Sequence, residues 1–176
     1  MKTARIILFF PLALFRLIAV FIISMFAAFV GWCWLKLFGF SRRLQNWSQK
    51  TWGKSILFIC GIRVEKNEVP QTAQFILMPN HRSYIDIFIV AAFTPAAFVA
   101  KAELKTWPLV NIGIKLSNSI FVSRADLKSQ ISTMHKIKAS VNKKIPVALF
   151  PEGTTTKGPL TKPFKNGSFK IATDAK

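Results

Sequence analysis

Apolar positions divide the chain into a front that is greasy on every side and a rear where short apolar runs alternate with longer periodic ones. From Leu17 to Leu35 no charge interrupts "LIAVFIISMFAAFVGWCWL". At about 1.5 Å per helical residue that run reaches ~28 Å, close to the ~30 Å of a hydrocarbon core. Trp32 and Trp34 close it, where interfacial aromatics belong. Upstream, "IILFFPLALF" is a second apolar piece, interrupted by Pro11 and set off from the main run by Arg16. The pattern predicts a membrane anchor over residues 1–40, either one tilted span or two short helices entering one leaflet as a hairpin. Arg16 favours the hairpin if it has to reach head groups. A cleaved leader fits poorly, because the apolar stretch is too long and no A-x-A site follows it. Next comes "LQNWSQKTWGKSILF", which mixes Trp47 and Trp52 with lysines. It reads as an interfacial stretch or an amphipathic connector helix.

Beyond residue 60 the rhythm changes. Four short apolar runs, 75–78, 97–100, 119–123 and 147–150, have the length of strands. Between them "IDIFIVAAF" reads as a buried helix and "LVNIGIKL" as a helix opened by Pro108. Leu127, Ile131, Met134, Val141 and Ile145 recur at helical spacing among lysines until Pro146 stops them. Strands separated by helices imply right-handed crossovers and a mostly parallel sheet. The expected fold is therefore α/β, a mostly parallel sheet flanked by helices over residues 41–176, behind the N-terminal membrane-embedded helix or hairpin. Ligands of such sheets bind beyond the carboxyl ends of the strands. His81, Lys101, Arg124 and Glu152 each fall just there.

Charge narrows the possible partners. The chain has 25 Lys and Arg against 7 Asp and Glu, a formal net charge of +18. That field favours polyanions, yet the chain is 51% hydrophobic with mean hydropathy +0.34, unusual for a soluble nucleic-acid binder. No nucleic-acid recognition motif accompanies the charge. Basic and apolar together point to work on a membrane. Lys36, Arg42, Arg43, Lys50 and Lys54 follow the apolar segment, against Lys2 and Arg5 before it. If the segment spans, this bias sets the downstream domain on the cytoplasmic side of the membrane, the inner or plasma membrane if the source is bacterial. Cys33 and Cys60 match neither a metal-ligand spacing nor a disulfide framework.

Two polar constellations carry candidate chemistry. In "NHRSYID", His81 and Asp86 lie five positions apart. An imidazole titrates near neutrality, and a carboxylate on its far nitrogen fixes the tautomer and stabilises the imidazolium. Ser83 and Asp86 also form an S-x-x-D pattern, so Asp86 can serve as a helix cap. The two roles are compatible. In "FPEGTTTKG", Gly153 and Gly158 permit tight turns, while Thr154, Thr155, Thr156 and Lys157 offer donors to a phosphate. A nucleotide P-loop is excluded, since Pro159 and Leu160 stand where Lys and Ser/Thr are required. Arg124 suits a phosphate or carboxylate fork, and His135 reads as a surface residue. There is no G-x-S-x-G, and one histidine near the carboxylates is too few for an ordinary zinc site.

Taken in order, "NHRSYID", "AKAEL", "IFVSR" and "FPEGT" followed by "KPFKNGSFKIA" resemble the blocks of the glycerolipid acyltransferase family that includes 1-acylglycerol-3-phosphate acyltransferases. The resemblance covers roughly residues 72–176. It implies a membrane-bound enzyme facing the cytoplasm, which esterifies a lysophospholipid, 1-acylglycerol-3-phosphate first among them, from acyl-CoA or acyl-carrier protein. His81 would be the base and Asp86 its orienting partner. Arg124, Glu152, Gly153 and Thr154 would hold the phosphate-bearing end of the acceptor, with Lys101 assisting. Neither a metal nor a resident cofactor is implied, and membrane phospholipids rather than nucleic acid are the expected partners. The rival reading is a non-catalytic, basic lipid-binding module on the membrane surface. Three departures stand out. Asn118 occupies the place of a glycine, Thr155 that of a frequent arginine, and the family's later strand block does not follow "FKNGSFKIA".

Overall fold

The computed structural model describes residues 2–68, 74–123, 126–156 and 160–174. Its N-terminal element is one continuous helix, α1 (Lys2–Phe38), which runs through Pro11 without breaking. Pro11 removes a single backbone donor, whereas ending the helix in an apolar setting would leave several groups unpaired. The hairpin lies instead between α1 and α2 (Arg42–Cys60). Ser41 starts α2 by accepting the Leu44 N–H at 3.1 Å. Gly61, at φ +70°, ends it in a left-handed turn that a Cβ would strain. The helix then lies antiparallel along α1. Trp52 Nε1 donates to Ser24 Oγ at 3.0 Å, and nine residues on, Gly61 sits beside the Arg16 guanidinium. Arg16 thus faces the partial negative end of α2, which explains a cation in the middle of an apolar helix.

Small residues let these helices approach. Ser24, Ala28 and Gly31 recur at helical spacing on the packed stripe of α1. A Cβ on Gly31 would fall 2.4 Å from Leu116 Cδ1 of α4 (Pro108–Leu116). The remaining faces of α1 are bare, with Phe10, Phe15, Phe21, Phe26 and Phe29 all exposed. Among the described residues, Phe9–Phe38 is the one stretch that is long and apolar enough to cross a membrane.

Polar hooks fasten α2 to the sheet. Gln49 pairs with Ala96 through both amide atoms, its Nε2 donating to the Ala96 carbonyl at 2.8 Å and its Oε1 accepting the Ala96 N–H at 3.0 Å. Gln45 is fully buried and donates to the Ser117 carbonyl at 2.6 Å. Buried amides matched in this way avoid the cost of about 1–3 kcal/mol for each orphaned group. At Gly53 the same helix crosses α3 (Ile85–Phe93), and Trp52 meets Phe88 edge-on with centroids 4.9 Å apart.

Among the described residues four parallel strands form the sheet, β1 (Ile76–Leu77), β2 (Ala97–Lys101), β3 (Ile120–Val122) and β4 (Val147–Ala148), in the spatial order β1-β4-β2-β3. β1, β3 and β4 fall within the apolar runs predicted from sequence, β2 runs one residue past its own to Lys101, and α3 and α4 fall on the predicted helices. The helix α5 (Leu127–Asn142) starts at Asp126, which accepts N–H bonds from Lys128 and Ser129. It ends three residues before Ile145, because Lys144 turns the chain at φ +57°, though Ile145 still enters the core. Strand alternation sorts the core into two sides. Ala97, Val147 and Leu149 cluster with Ile137 and Val141 of α5, whereas Ala148, Leu77 and Phe98 meet Val90 of α3.

Between α4 and β3, Asn118 adopts φ +52°. Ser119 N–H reaches back to the Ile114 carbonyl at 2.9 Å, closing the helix end. Asparagine is among the few side chains that tolerate this region, so it can stand where glycine is expected.

Candidate active site

Insertion of the last strand builds the site. β4 lies between β1 and β2, and its register pairs Leu77 with Ala148. Four residues beyond each of those positions come His81 and Glu152, so the loops leaving β1 and β4 meet side by side at the carboxyl end of the sheet.

His81 is held at its ring and at its peptide. Its Nδ1 lies 2.9 Å from Asp86 Oδ2, with the two side chains 13% and 19% exposed. The same Oδ2 accepts the N–H groups of Arg82 at 2.7 Å and Ser83 at 2.9 Å. Ser83 Oγ accepts the Ile85 N–H at 3.0 Å. Asp86 therefore fills the acidic position of a capping box and orients the imidazole with one oxygen. The Phe150 ring stacks on the imidazole, centroids 3.9 Å apart. With Nδ1 directed at the carboxylate, Nε2 is the nitrogen left to take a proton from an outside group.

On the peptide side, Glu152 Oε1 accepts the His81 N–H at 2.7 Å, and the His81 carbonyl accepts the Thr156 N–H at 2.8 Å. Glu152 Oε2 takes the Thr156 hydroxyl and the Lys162 N–H, the latter at 3.2 Å. Glu152 is buried, 4% exposed. The Thr156 hydroxyl first, then the His81 N–H, hold its carboxyl below the usual carboxylate range against the opposing effect of burial. Gly153 makes the turn at φ +76°, its N–H reaching the Phe150 carbonyl at 3.0 Å. Thr154 is exposed beside it.

The residues expected at this rim thus separate. His81, Asp86 and Glu152 share one hydrogen-bonded assembly, while Gly153 turns the chain next to Glu152 and Thr154 is exposed beside it. Lys101 ends β2 on the same edge of the sheet, exposed. Arg124 and Lys157 lie outside the described residues. Thr156 points inward to Glu152. Phe150 escaped the sequence reading, which treated it only as a strand residue. The signal was present, since alternation puts Phe150 on the Ala148 side of the sheet.

A histidine held by a carboxylate, in a chain of formal net charge +18, is equipped to take a proton from a hydroxyl during group transfer. The chain belongs to the acyltransferase family, whose model, described as Acyltransferase, matches residues 61–176. It is 29% identical over 132 residues to the lyso-ornithine lipid O-acyltransferase of Rhizobium meliloti, covering 74% of this chain and 45% of that one. With the 1-acyl-sn-glycerol-3-phosphate acyltransferase of Borreliella burgdorferi it shares 32% identity over 124 residues, 68% of this chain and 50% of that protein. The chain spans about half the length of these curated relatives. In fold it is similar to the crystal structure of the 1-acyl-sn-glycerophosphate acyltransferase PlsC from Thermotoga maritima. The TM-score is 0.65 at 24% identity, over 91% of this chain and 71% of that one. The α/β reading and the family resemblance both hold, and the class they define is a member of the acyltransferase family that carries, among the described residues, one helix long and apolar enough to cross a membrane.

Proposed function

We propose that the protein transfers a fatty acyl group from an acyl thioester, of CoA or of a carrier protein, to the free hydroxyl of a lysophospholipid, with 1-acylglycerol-3-phosphate the first candidate. His81 Nε2 accepts the hydroxyl proton as the oxygen attacks the thioester carbonyl. The resulting imidazolium is stabilised by Asp86 on Nδ1. When the tetrahedral intermediate collapses the C–S bond breaks, and the imidazolium returns the proton to the leaving thiolate. Gly153, Thr154, Lys101 and Arg124 receive the acceptor's phosphate end in this reading. Its main support is the His81–Asp86 contact of 2.9 Å in a chain of this family.

The test is thiol release by the intact protein in membranes, with 1-acylglycerol-3-phosphate and lyso-ornithine lipid as alternative acceptors. His81→Ala is expected to lower transfer by about 10²–10⁴-fold. Full activity in that variant would refute the mechanism. Vesicle binding by the unaltered protein with no transfer to any acceptor would favour the lipid-binding module instead.

The hairpin bears on how the domain meets the bilayer. From Arg16 onward α1 is flanked by the protein itself, through Gly61, Trp52 and Leu116. Only Lys2–Phe15 projects beyond that flank, a length of roughly 21 Å against the ~30 Å of a hydrocarbon core. We propose that α1 and α2 enter one leaflet from the cytoplasmic side, leaving the carboxyl end of the sheet near the head groups. In protein lacking Cys33 and Cys60, cysteines placed at Lys2 and Lys36, the basic positions toward either end of α1, should then both label from the cytoplasmic face with an impermeant reagent. Labelling from opposite faces would establish a span.

A further inference from the structure

We propose that Glu152 is a positioning residue for His81, fixing the histidine's peptide as Asp86 fixes its ring. The inference rests on the acyl-transfer reading above and removes Glu152 from the acceptor-binding set. A carboxylate poised for a ligand keeps an oxygen open to solvent, and Glu152 does not. It is buried, and its two oxygens take three donors from the protein, the His81 N–H, the Thr156 hydroxyl and the Lys162 N–H. Its charge would also repel a phosphate at close range.

The network closes on itself. His81 N–H binds Glu152, the Thr156 hydroxyl binds Glu152, and the Thr156 N–H binds the His81 carbonyl. Both peptide groups flanking the His81 Cα are thereby pinned. Fixing the backbone decides where the Cβ points, after which Asp86 and Phe150 settle the rotation of the ring. Asp86 also holds the peptide after His81 through the Arg82 N–H at 2.7 Å, but the peptide before it, which carries the His81 N–H, is held by Glu152. Without Glu152 that peptide drifts, and a displacement of ~1 Å at a reacting group costs about 10²-fold in rate. The carboxylate also reaches past the turn. Lys162 binds it directly, the Arg82 guanidinium donates to the Leu160 carbonyl at 3.1 Å, and the Lys165 N–H reaches the Pro151 carbonyl at 3.1 Å. Glu152 thus ties the 160–165 segment to the base.

Glu152→Gln keeps the shape and one acceptor oxygen but turns an NH₂ toward the donors at Thr156 and Lys162. In the intact protein it should lower kcat by about 10²-fold while KM for the acceptor stays within about twofold. The loss should be equal for 1-acylglycerol-3-phosphate and lyso-ornithine lipid, because the head group is not what Glu152 touches. Thr156→Val should show the same pattern more weakly, with Thr156→Ser restoring turnover. In spectra of ¹⁵N-imidazole-labelled protein, the His81 resonances should shift in Glu152→Gln while those of His135 on α5 do not. A raised acceptor KM with kcat retained, a loss that depends on head group, or unmoved His81 resonances would each overturn the proposal. If Glu152→Gln does not fold, the Thr156→Val and Thr156→Ser pair decides by the same criteria. If the unaltered protein transfers acyl groups to neither acceptor, the enzyme reading fails and the His81 resonances alone decide the positioning role.

Discussion

The Phe150 ring lies nearly flat against the His81 imidazole, with planes 20° from parallel. Phe150 leads the turn that carries Glu152, so one short segment of chain touches His81 at both ring and peptide. Aromatic contacts of this kind are worth about 0.5–1.5 kcal/mol beyond their burial. Phe150→Leu should therefore lower turnover roughly two- to tenfold, and Phe150→Tyr should retain most of it. Steady-state rates at saturating acceptor provide the check. An unchanged rate in Phe150→Leu would mean the stack contributes only packing.

Asp86 offers a separation of roles. Asp86→Asn can still accept the Arg82 and Ser83 N–H groups through its amide oxygen, so the loop and helix start should survive, with a stability loss of about 1 kcal/mol or less. The amide lacks the charge that stabilises an imidazolium, and acyl transfer should fall by about 10²–10⁴-fold. Thermal unfolding and thiol release measured on the same preparation distinguish the two effects. Equal damage to both would show that Asp86 is mainly a cap.

The buried Glu152 also sets a pH dependence of stability. Its carboxyl titrates lower in the folded chain than in the unfolded one, chiefly through the Thr156 hydroxyl and the His81 N–H. A depressed carboxylate contributes stability that is fully present above its unfolded value of about 4.3 and is lost as pH falls through the lower folded value. Melting temperature should accordingly fall with acidification below that point, more steeply for the unaltered protein than for Glu152→Gln. Parallel melting curves from pH 6 to pH 3 would contradict the assignment.

At Gly53 the constraint is steric. A Cβ there would lie 2.6 Å from the Phe88 carbonyl oxygen and 2.7 Å from the Ala92 nitrogen, both backbone atoms that cannot swing aside. Gly53→Ala gains up to about 1 kcal/mol in helix propensity, but forcing α2 away from α3 costs about 1–3 kcal/mol. Net destabilisation is expected, together with loosening of the Gln49 hook on Ala96. Chemical unfolding in detergent would reveal it. A stabilised variant would show that α2 and α3 slide freely.

The elements were legible where local pattern decides them. Four apolar runs became four strands, and "IDIFIVAAF" became α3. Neighbour relations were not legible, because nothing in "VALF" says that it slides between two earlier strands. That insertion is what brings Glu152 to His81, so its structural role could not be read from spacing. Pro11 likewise misleads when read alone. Local sequence marks a break there, yet the helix persists and the chain reverses only after Phe38. Asn118 shows the converse, a residue type that departs from the family's glycine while its left-handed backbone supplies what a glycine would.

The position of β4 has a consequence for how the chain comes into being. It is the last of the described strands in sequence and a central one in space. Until it is synthesised and docked, β1 and β2 lack the neighbour between them and each presents an unpaired edge, the kind that invites mispairing. Phe150, Glu152 and Thr156 also arrive only with that strand, so a nascent chain carries His81 and Asp86 for more than sixty residues before the histidine is held. Completing the sheet and aligning the base are one event.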